Sequence, residues 1–177
     1  MTKLDEFKIG CNIIQYFCNI NNIEAPAIVA TENIKHMGFY DFGTPNYIYV
    51  NLKKCKKTSK SNHPMMVYEN TIIGTMLHEF GHFLHFELFP ELTDKFKKFK
   101  REPLLHYREV DIEEDIAECF RLFILHPQRL HRGRPKRFDI LCKYVYSDSY
   151  TMACNLYDTY KEKNEKLDIR QWELFQV

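Results

Sequence analysis

Hydrophobic residues at the start of the chain recur at helical spacing. Along residues 3–20 they lie three or four positions apart, on one face of a predicted helix. These positions are Leu4, Phe7, Cys11, Ile14 and Cys18. Asn19, Asn21 and Asn22 then interrupt the pattern, so we expect one amphipathic helix that ends near residue 20.

Three short segments that follow are typical of β-strands. The first two cover residues 27–30 and 38–42, and the second is closed by a Gly-Thr-Pro-Asn turn at 43–46. Residues 47–52 are rich in aromatic and β-branched side chains and form the clearest strand. The short turns between these segments predict a small, mainly antiparallel sheet.

The second half of the chain is predicted to be largely helical. An apolar run over residues 72–89 predicts a central helix that Asn70 or Thr71 can cap and that ends before Pro90. Further helices are expected over 91–100, over 111–126 and, once or twice, between 138 and 166. The basic stretch at 129–137 is interpreted as a loop because it contains a glycine and a proline. We expect one α+β domain spanning residues 1–177, with the sheet packed on the central helix.

The central helix carries the sequence His78-Glu79-Phe80-Gly81-His82. Positions i and i+4 share a helix face, so both histidines can direct a ring nitrogen at one metal ion. Glu79 is turned about 100° from His78, which suits a general base rather than a ligand. Gly81 is a poor helix former that permits a close approach of backbone or ligand. The pattern predicts a zinc site; the alternative is two surface histidines on an amphipathic helix.

A catalytic zinc ion needs a third protein ligand and one open position. Glu114 and Glu118 lie four residues apart on the next predicted helix, beside the small Ala117. Glu114 is the favoured ligand, and Glu118 is the favoured partner for the second N–H of a ligand imidazole. The alternative is that Glu114 forms a helix-capping pattern with Asp111. The other candidates are His85, His106, His126, His131 and the acidic cluster at 109–118.

Composition narrows the possible partners. Lys and Arg total 25 against 24 Asp and Glu, which predicts neither a membrane nor a nucleic-acid partner. The chain has no run of 18 apolar residues, and its charged start differs from a signal peptide, so we expect a cytoplasmic protein. The six cysteines are scattered without a C-x-x-C pair, which favours free thiols. The basic stretches 53–60 and 129–137 are interpreted as solvated loops, with a polyanion site as the alternative.

The sequence resembles the gluzincin metallopeptidases, which bind zinc through two histidines and a glutamate. The sequence H-E-F-G-H at 78–82 is followed by E-x-x-A-E at 114–118. More narrowly, Tyr107 and the Phe-Arg-Leu sequence at 120–122 look like the catalytic domain of anthrax lethal factor and its relatives. The resemblance covers residues 78–82 and 107–122.

This resemblance implies a zincin-like fold and a role for each matching residue. His78, His82 and Glu114 would bind zinc, Glu79 would act as general base, and Tyr107 would help to stabilise the oxyanion. In such domains the strand before the zinc helix lines the substrate cleft and pairs with an extended peptide. The expected strand residues are Tyr47, Ile48, Tyr49 and Val50, because their composition suggests an edge strand.

The expected function is that of a zinc-dependent endopeptidase acting on a protein or peptide substrate. One alternative is a non-catalytic zinc-binding module that keeps the zincin scaffold for structure or interaction. Another alternative is a protease that acts on nucleic-acid-bound proteins, and it is motivated by the two basic stretches alone.

Overall fold

A long helix, three strands and a series of helices follow one another along the chain. The computed structural model describes residues 2–44, 46–56, 71–99, 111–149 and 151. Its elements are α1 (Lys3–Asn21), β1 (Ala27–Thr31), β2 (Gly38–Tyr40), β3 (Tyr47–Asn51), α2 (Ile72–Phe83), a π-helical turn (Leu84–Leu88), α3 (Leu92–Lys97), α4 (Ile112–Leu125), α5 (Pro127–Gly133) and α6 (Pro135–Leu141). The predicted α+β class is confirmed.

Side-chain caps explain where helices α1 and α2 begin. Thr2 and Asp5 form a reciprocal capping box at the start of α1. The Thr71 hydroxyl oxygen accepts a hydrogen bond from the Gly74 N–H at 3.1 Å and thereby caps α2. Thr71 is therefore the cap of the central helix, as one of the two predicted alternatives. Asn22 ends α1 in the left-handed conformation, with φ of 53°.

The sheet is mixed, which corrects the prediction of a mainly antiparallel sheet. Its strand order is β1-β3-β2. β2 and β3 form an antiparallel hairpin, but β3 also lies beside β1 and pairs with it in parallel along the whole of its length. The prediction failed because short turns indicate which strands form a hairpin, but they do not show which strand pairs with the other edge of that hairpin.

Strand β3 is central, so the expectation that Tyr47, Ile48, Tyr49 and Val50 form a peptide-binding edge strand is wrong. Both backbone edges of β3 are already paired, by β1 and by β2. Ile48 and Val50 are fully buried, and Tyr47 and Tyr49 stack on the opposite face with ring centroids 6.2 Å apart. The β-branched and aromatic composition therefore reflected burial rather than an edge position.

Helix α2 is the centre of the packing because it contacts α1, α4, β2 and β3. The Phe80 ring meets Phe17 of α1 edge to face, with centroids 5.7 Å apart. On the other side, Gly81 lies against the backbone of Ala117 in α4. A Cβ atom added at position 81 would lie 2.6 Å from the Ala117 carbonyl oxygen. The predicted close approach at Gly81 is confirmed, and it brings α2 and α4 into backbone contact.

The basic stretch at 129–137 is helical, which corrects the loop prediction. Pro127 and Pro135 occupy the first turns of α5 and α6, where a proline starts a helix rather than breaking one. Arg134 and Arg137 are only 2% and 1% exposed. Both bind the buried Asp115 carboxylate, with N–O distances of 2.7 Å. The arginines therefore belong to the core that fixes α4.

The remaining sequence predictions can be compared with the structure only where their residues are described. Lys53, Lys54 and Lys56 are exposed, as expected of a solvated stretch. All five cysteines in these ranges are free thiols, as predicted. None of the described helices is both long enough and apolar enough to cross a membrane. Residues 57–60 and Cys154 lie outside the described residues, as does the part of the predicted helical segment 138–166 that follows residue 151.

Replacing Gly81 with alanine tests the contact between α2 and α4. The new methyl group would collide with backbone atoms of Ala117, so we expect the free energy of unfolding to fall by about 1–3 kcal/mol. Urea denaturation of the metal-free protein measures this change. Gly133→Ala is the control, because a Cβ atom there meets nothing within 4 Å. Equal stability of Gly81→Ala and wild type would contradict the tight contact.

Replacing Asp115 with alanine tests the buried ion cluster. Two buried guanidinium groups would lose their shared carboxylate, and we expect a loss of about 3–5 kcal/mol in the free energy of unfolding. Thermal and urea denaturation should both detect it. Asp139→Ala, at an exposed position of α6, should leave stability nearly unchanged. A small effect of Asp115→Ala would mean that the cluster is not essential to the fold.

Candidate metal centre

His78 and His82 lie one turn apart on α2, as predicted, with ring centroids 4.9 Å apart. His82 is buried and His78 is partly exposed at the same helix face. Both imidazoles face α4, because the Gly81–Ala117 contact brings that helix beside them. They are therefore not two unrelated surface histidines, which was the alternative interpretation of the motif.

Glu114 of α4 completes a group of three potential ligands. Its Oε2 atom lies 3.0 Å from His78 Nε2, and its Oε1 atom lies 3.3 Å from His82 Nε2. One ligand atom from each of the three residues lies within 4.8 Å of the others. Tetrahedral zinc with bonds of about 2.0–2.2 Å places its ligand atoms about 3.3–3.5 Å apart. These three side chains could therefore hold a metal ion.

The capping alternative for Glu114 receives no support. Asp111 occupies the N-cap position of α4, but its side chain makes no capping hydrogen bond. The Glu114 carboxylate points instead across the helix interface to the two imidazoles. The position of the Glu114 carboxylate therefore reflects its contacts with the two imidazoles and not a helix cap.

The electrostatics of this group couple the imidazoles to the carboxylate. Burial acts to lower the pKa of His78, but the hydrogen bond with Glu114 and the nearby Glu118 carboxylate outweigh it and raise this pKa to about 10. His78 and His82 in turn hold the pKa of Glu114 well below its usual range. A metal ion that binds His78 Nε2 must displace a proton, as is general for imidazole ligands.

Glu118 lies behind His78, on the side of the second ring nitrogen. Its Oε2 atom is 3.8 Å from His78 Nδ1, which is an ion-pair distance rather than a hydrogen bond. Arg121 binds both carboxylate oxygens of Glu118, one of them from Nε at 2.8 Å. Burial acts to raise the pKa of Glu118, but Arg121 and His78 lower it to about 2. Sequence reasoning predicted the role of Glu118 but assigned none to Arg121. A Glu and an Arg three residues apart on a helix lie close enough to pair, and this spacing could have identified Arg121.

Strand β2 holds Glu79, which is not one of the three potential ligands. The Tyr40 N–H donates a hydrogen bond of 3.0 Å to Glu79 Oε2. Burial raises the pKa of Glu79, and the two imidazoles oppose that shift. A Cβ atom at Gly38 would lie 2.7 Å from Glu79 Oε1, so position 38 requires glycine for this approach. Sequence reasoning missed both Gly38 and Tyr40, because the β2–α2 contact is not local.

The outer edge of β2 faces Glu79. Met37 and Asp41 form backbone hydrogen bonds with β3. Residues 37, 39 and 41 therefore direct their backbone N–H and C=O groups toward β3. Gly38 and Tyr40 consequently direct their N–H and C=O groups outward. No other strand of the described residues pairs with this edge. The edge strand beside the site is therefore β2, in place of the predicted β3.

The remaining candidates do not join the group within the described ranges. His85 Nε2 lies 2.8 Å from the Thr93 hydroxyl and serves the packing of α3. His131 is exposed and its ring meets Phe138. His126 is likewise not part of the three-residue group. Tyr107 and His106 lie outside the described residues, so the role of Tyr107 stays a prediction.

Comparisons of the chain with protein-family models, curated proteins and solved structures find no match. The resemblance to gluzincins therefore stays a prediction that rests on the sequence motifs.

Replacing Glu114 with alanine tests the ligand set. We expect wild type to bind about one zinc ion per chain, and Glu114→Ala and His82→Ala to lose it on dialysis, because each lacks one of three protein ligands. Metal analysis of the dialysed proteins measures the stoichiometry. Glu113→Ala, one residue away and outside the ligand group, should retain zinc. Full zinc occupancy in Glu114→Ala would remove Glu114 from the ligand set.

Proposed function

We propose that this protein is a zinc-dependent endopeptidase that hydrolyses peptide bonds by the attack of water. One arrangement supports the proposal above all. Two imidazoles and a carboxylate converge at distances that suit tetrahedral zinc, while a second carboxylate, Glu79, is fixed just outside them by a backbone amide. Structural zinc sites use four protein ligands, whereas three ligands with a separate base are typical of hydrolytic ones.

His78, His82 and Glu114 would hold the ion. When bound, zinc would polarise the scissile carbonyl and bring the pKa of an attacking water to near 7. Glu118 and Arg121 would keep the His78 ring oriented, because a ligand imidazole needs a fixed partner on its second nitrogen. The buried Asp115, adjacent to Glu114, ties the same helix to α6 and so keeps Glu114 facing α2.

Glu79 would act as the general base. Its carboxylate would accept a proton from the attacking water and deliver it to the departing amine. The Tyr40 N–H holds one oxygen, Oε2, and thereby fixes the plane in which the carboxylate can act. Burial, which raises the pKa of Glu79, makes it a stronger base than an exposed carboxylate.

A peptide substrate is favoured by the edge of β2. The outward N–H and C=O groups of Gly38 and the C=O group of Tyr40 lie beside Glu79, and an extended peptide can bind such an edge through main-chain hydrogen bonds. The zincin-like fold is part of the same proposal. Its support is an antiparallel edge strand packed beside a helix that carries two ligands, with the third on a neighbouring helix.

The alternative of a protease directed to nucleic-acid-bound proteins loses much of its support. Five basic residues occupy positions 129–137, but Arg134 and Arg137 are buried against Asp115. The exposed positive charge of this stretch is therefore smaller than its composition indicated.

Replacing Glu79 with glutamine tests the enzymatic role and separates it from a non-catalytic zinc module. We expect the variant to keep zinc, because Glu79 is not a ligand, and to lose cleavage of a peptide library by at least about 100-fold. Mass spectrometry of the digest and metal analysis measure the two properties. Glu113→Gln serves as the control and should retain both. Zinc-loaded wild type that cleaves no peptide would favour the non-catalytic module.

A further inference from the structure

An aromatic surface extends from His82 across the π-helical turn that follows α2 to the turn that follows β2. The Phe86 ring lies nearly parallel to the ring of the ligand His82, with centroids 6.0 Å apart. Phe42 packs edge to face on Phe86 at 4.7 Å and is 58% exposed. We name these two residues the aromatic platform. It is continuous with the metal centre at one end and open to solvent at the other.

The side chain of Tyr40 packs against both rings of the aromatic platform. The buried Tyr40 ring meets Phe42 at 5.2 Å and stacks on Phe86 at 6.4 Å. The Tyr40 hydroxyl donates a hydrogen bond to Glu87, which belongs to the same π-helical turn as Phe86. A ring that stays exposed while its supports are fixed offers apolar area without an ordering cost on binding. These contacts favour a binding surface over an incidental exposed side chain.

The distance of the platform from Glu79 is set by β2. The Tyr40 N–H binds Glu79, and Phe42 lies two residues later in the turn that follows β2, at most about 7 Å along the chain. A peptide paired with the edge of β2 would therefore bring a side chain one to three residues from the scissile bond onto the platform. Asp41 and Glu87 flank it, so an acidic side chain would be repelled there.

We propose that Phe42 and Phe86 form a specificity subsite that selects a substrate residue with a large apolar side chain, at a position one to three residues to one side of the scissile bond. This inference rests on the proposed peptidase function. Burial of a large apolar side chain against two aromatic rings supplies the selectivity. Acidic residues at the same position are disfavoured.

Cleavage of a peptide library and binding of its members test the subsite. Zinc-loaded wild type should prefer Phe, Leu or Met over Ala at one such position by about 5- to 30-fold in kcat/KM, and should discriminate against Asp. Phe42→Ala should reduce that preference to below about threefold while zinc content stays unchanged. Fluorescence polarisation with zinc-loaded Glu79→Gln and labelled peptides should give the same order of preference without turnover.

Phe39→Ala is the matched control. Phe39 lies on the same segment of chain and is 41% exposed, but it projects from the opposite face of β2. It should retain the wild-type preference. Cleavage without an apolar preference, or a preference that Phe42→Ala leaves intact, would overturn the subsite while the peptidase function stands. Selective binding to Glu79→Gln without cleavage by wild type would instead overturn the peptidase function and leave the subsite in place.

Discussion

The backbone contact between α2 and α4 is the constraint on which the site depends. His78 and His82 belong to one helix and Glu114 to the other, and 3.0–3.3 Å distances between their atoms require the helix axes to lie close together. Gly81 permits this approach because any Cβ atom at that position would overlap the backbone of Ala117. The glycine between the two histidines therefore matters for the third ligand as much as for its own helix.

A second set of interactions fixes the rotation of α4 once it lies beside α2. Asp115 binds Arg134 and Arg137 on one face, and Arg121 holds Glu118 on another. Glu114 directly precedes Asp115 in the sequence and projects toward the histidines. Three acidic side chains of α4 thus have two different environments: Asp115 is buried against two arginines, and Glu114 and Glu118 lie beside the imidazoles.

Local sequence signals predicted much of this arrangement. Helical periodicity identified α1, α2 and α4, and spacing identified both histidines, Glu114 and Glu118 before any distance was known. The predictions failed where the role of a residue depends on a neighbour in space that is distant in the sequence. The family resemblance and the strand composition predicted β3 as an edge strand, and Pro135 with Gly133 predicted a loop where two helices lie. Both predictions failed because neither the insertion of β3 between two strands nor the burial of Arg134 is encoded locally. Tyr40 and Gly38 were missed for the same reason, since they reach Glu79 across about 40 residues of sequence.

The hydrogen bond between the Tyr40 amide and Glu79 has a consequence for substrate register. A strand added to β2 would ordinarily form a hydrogen bond with every outward-facing N–H and C=O group along its edge. At Tyr40 the N–H is already bonded to Glu79, so such a ladder would lack one hydrogen bond beside the proposed general base. A peptide bound to this edge would therefore leave a backbone carbonyl without its strand partner beside Glu79. The gap in the ladder would itself mark which peptide bond is presented for hydrolysis.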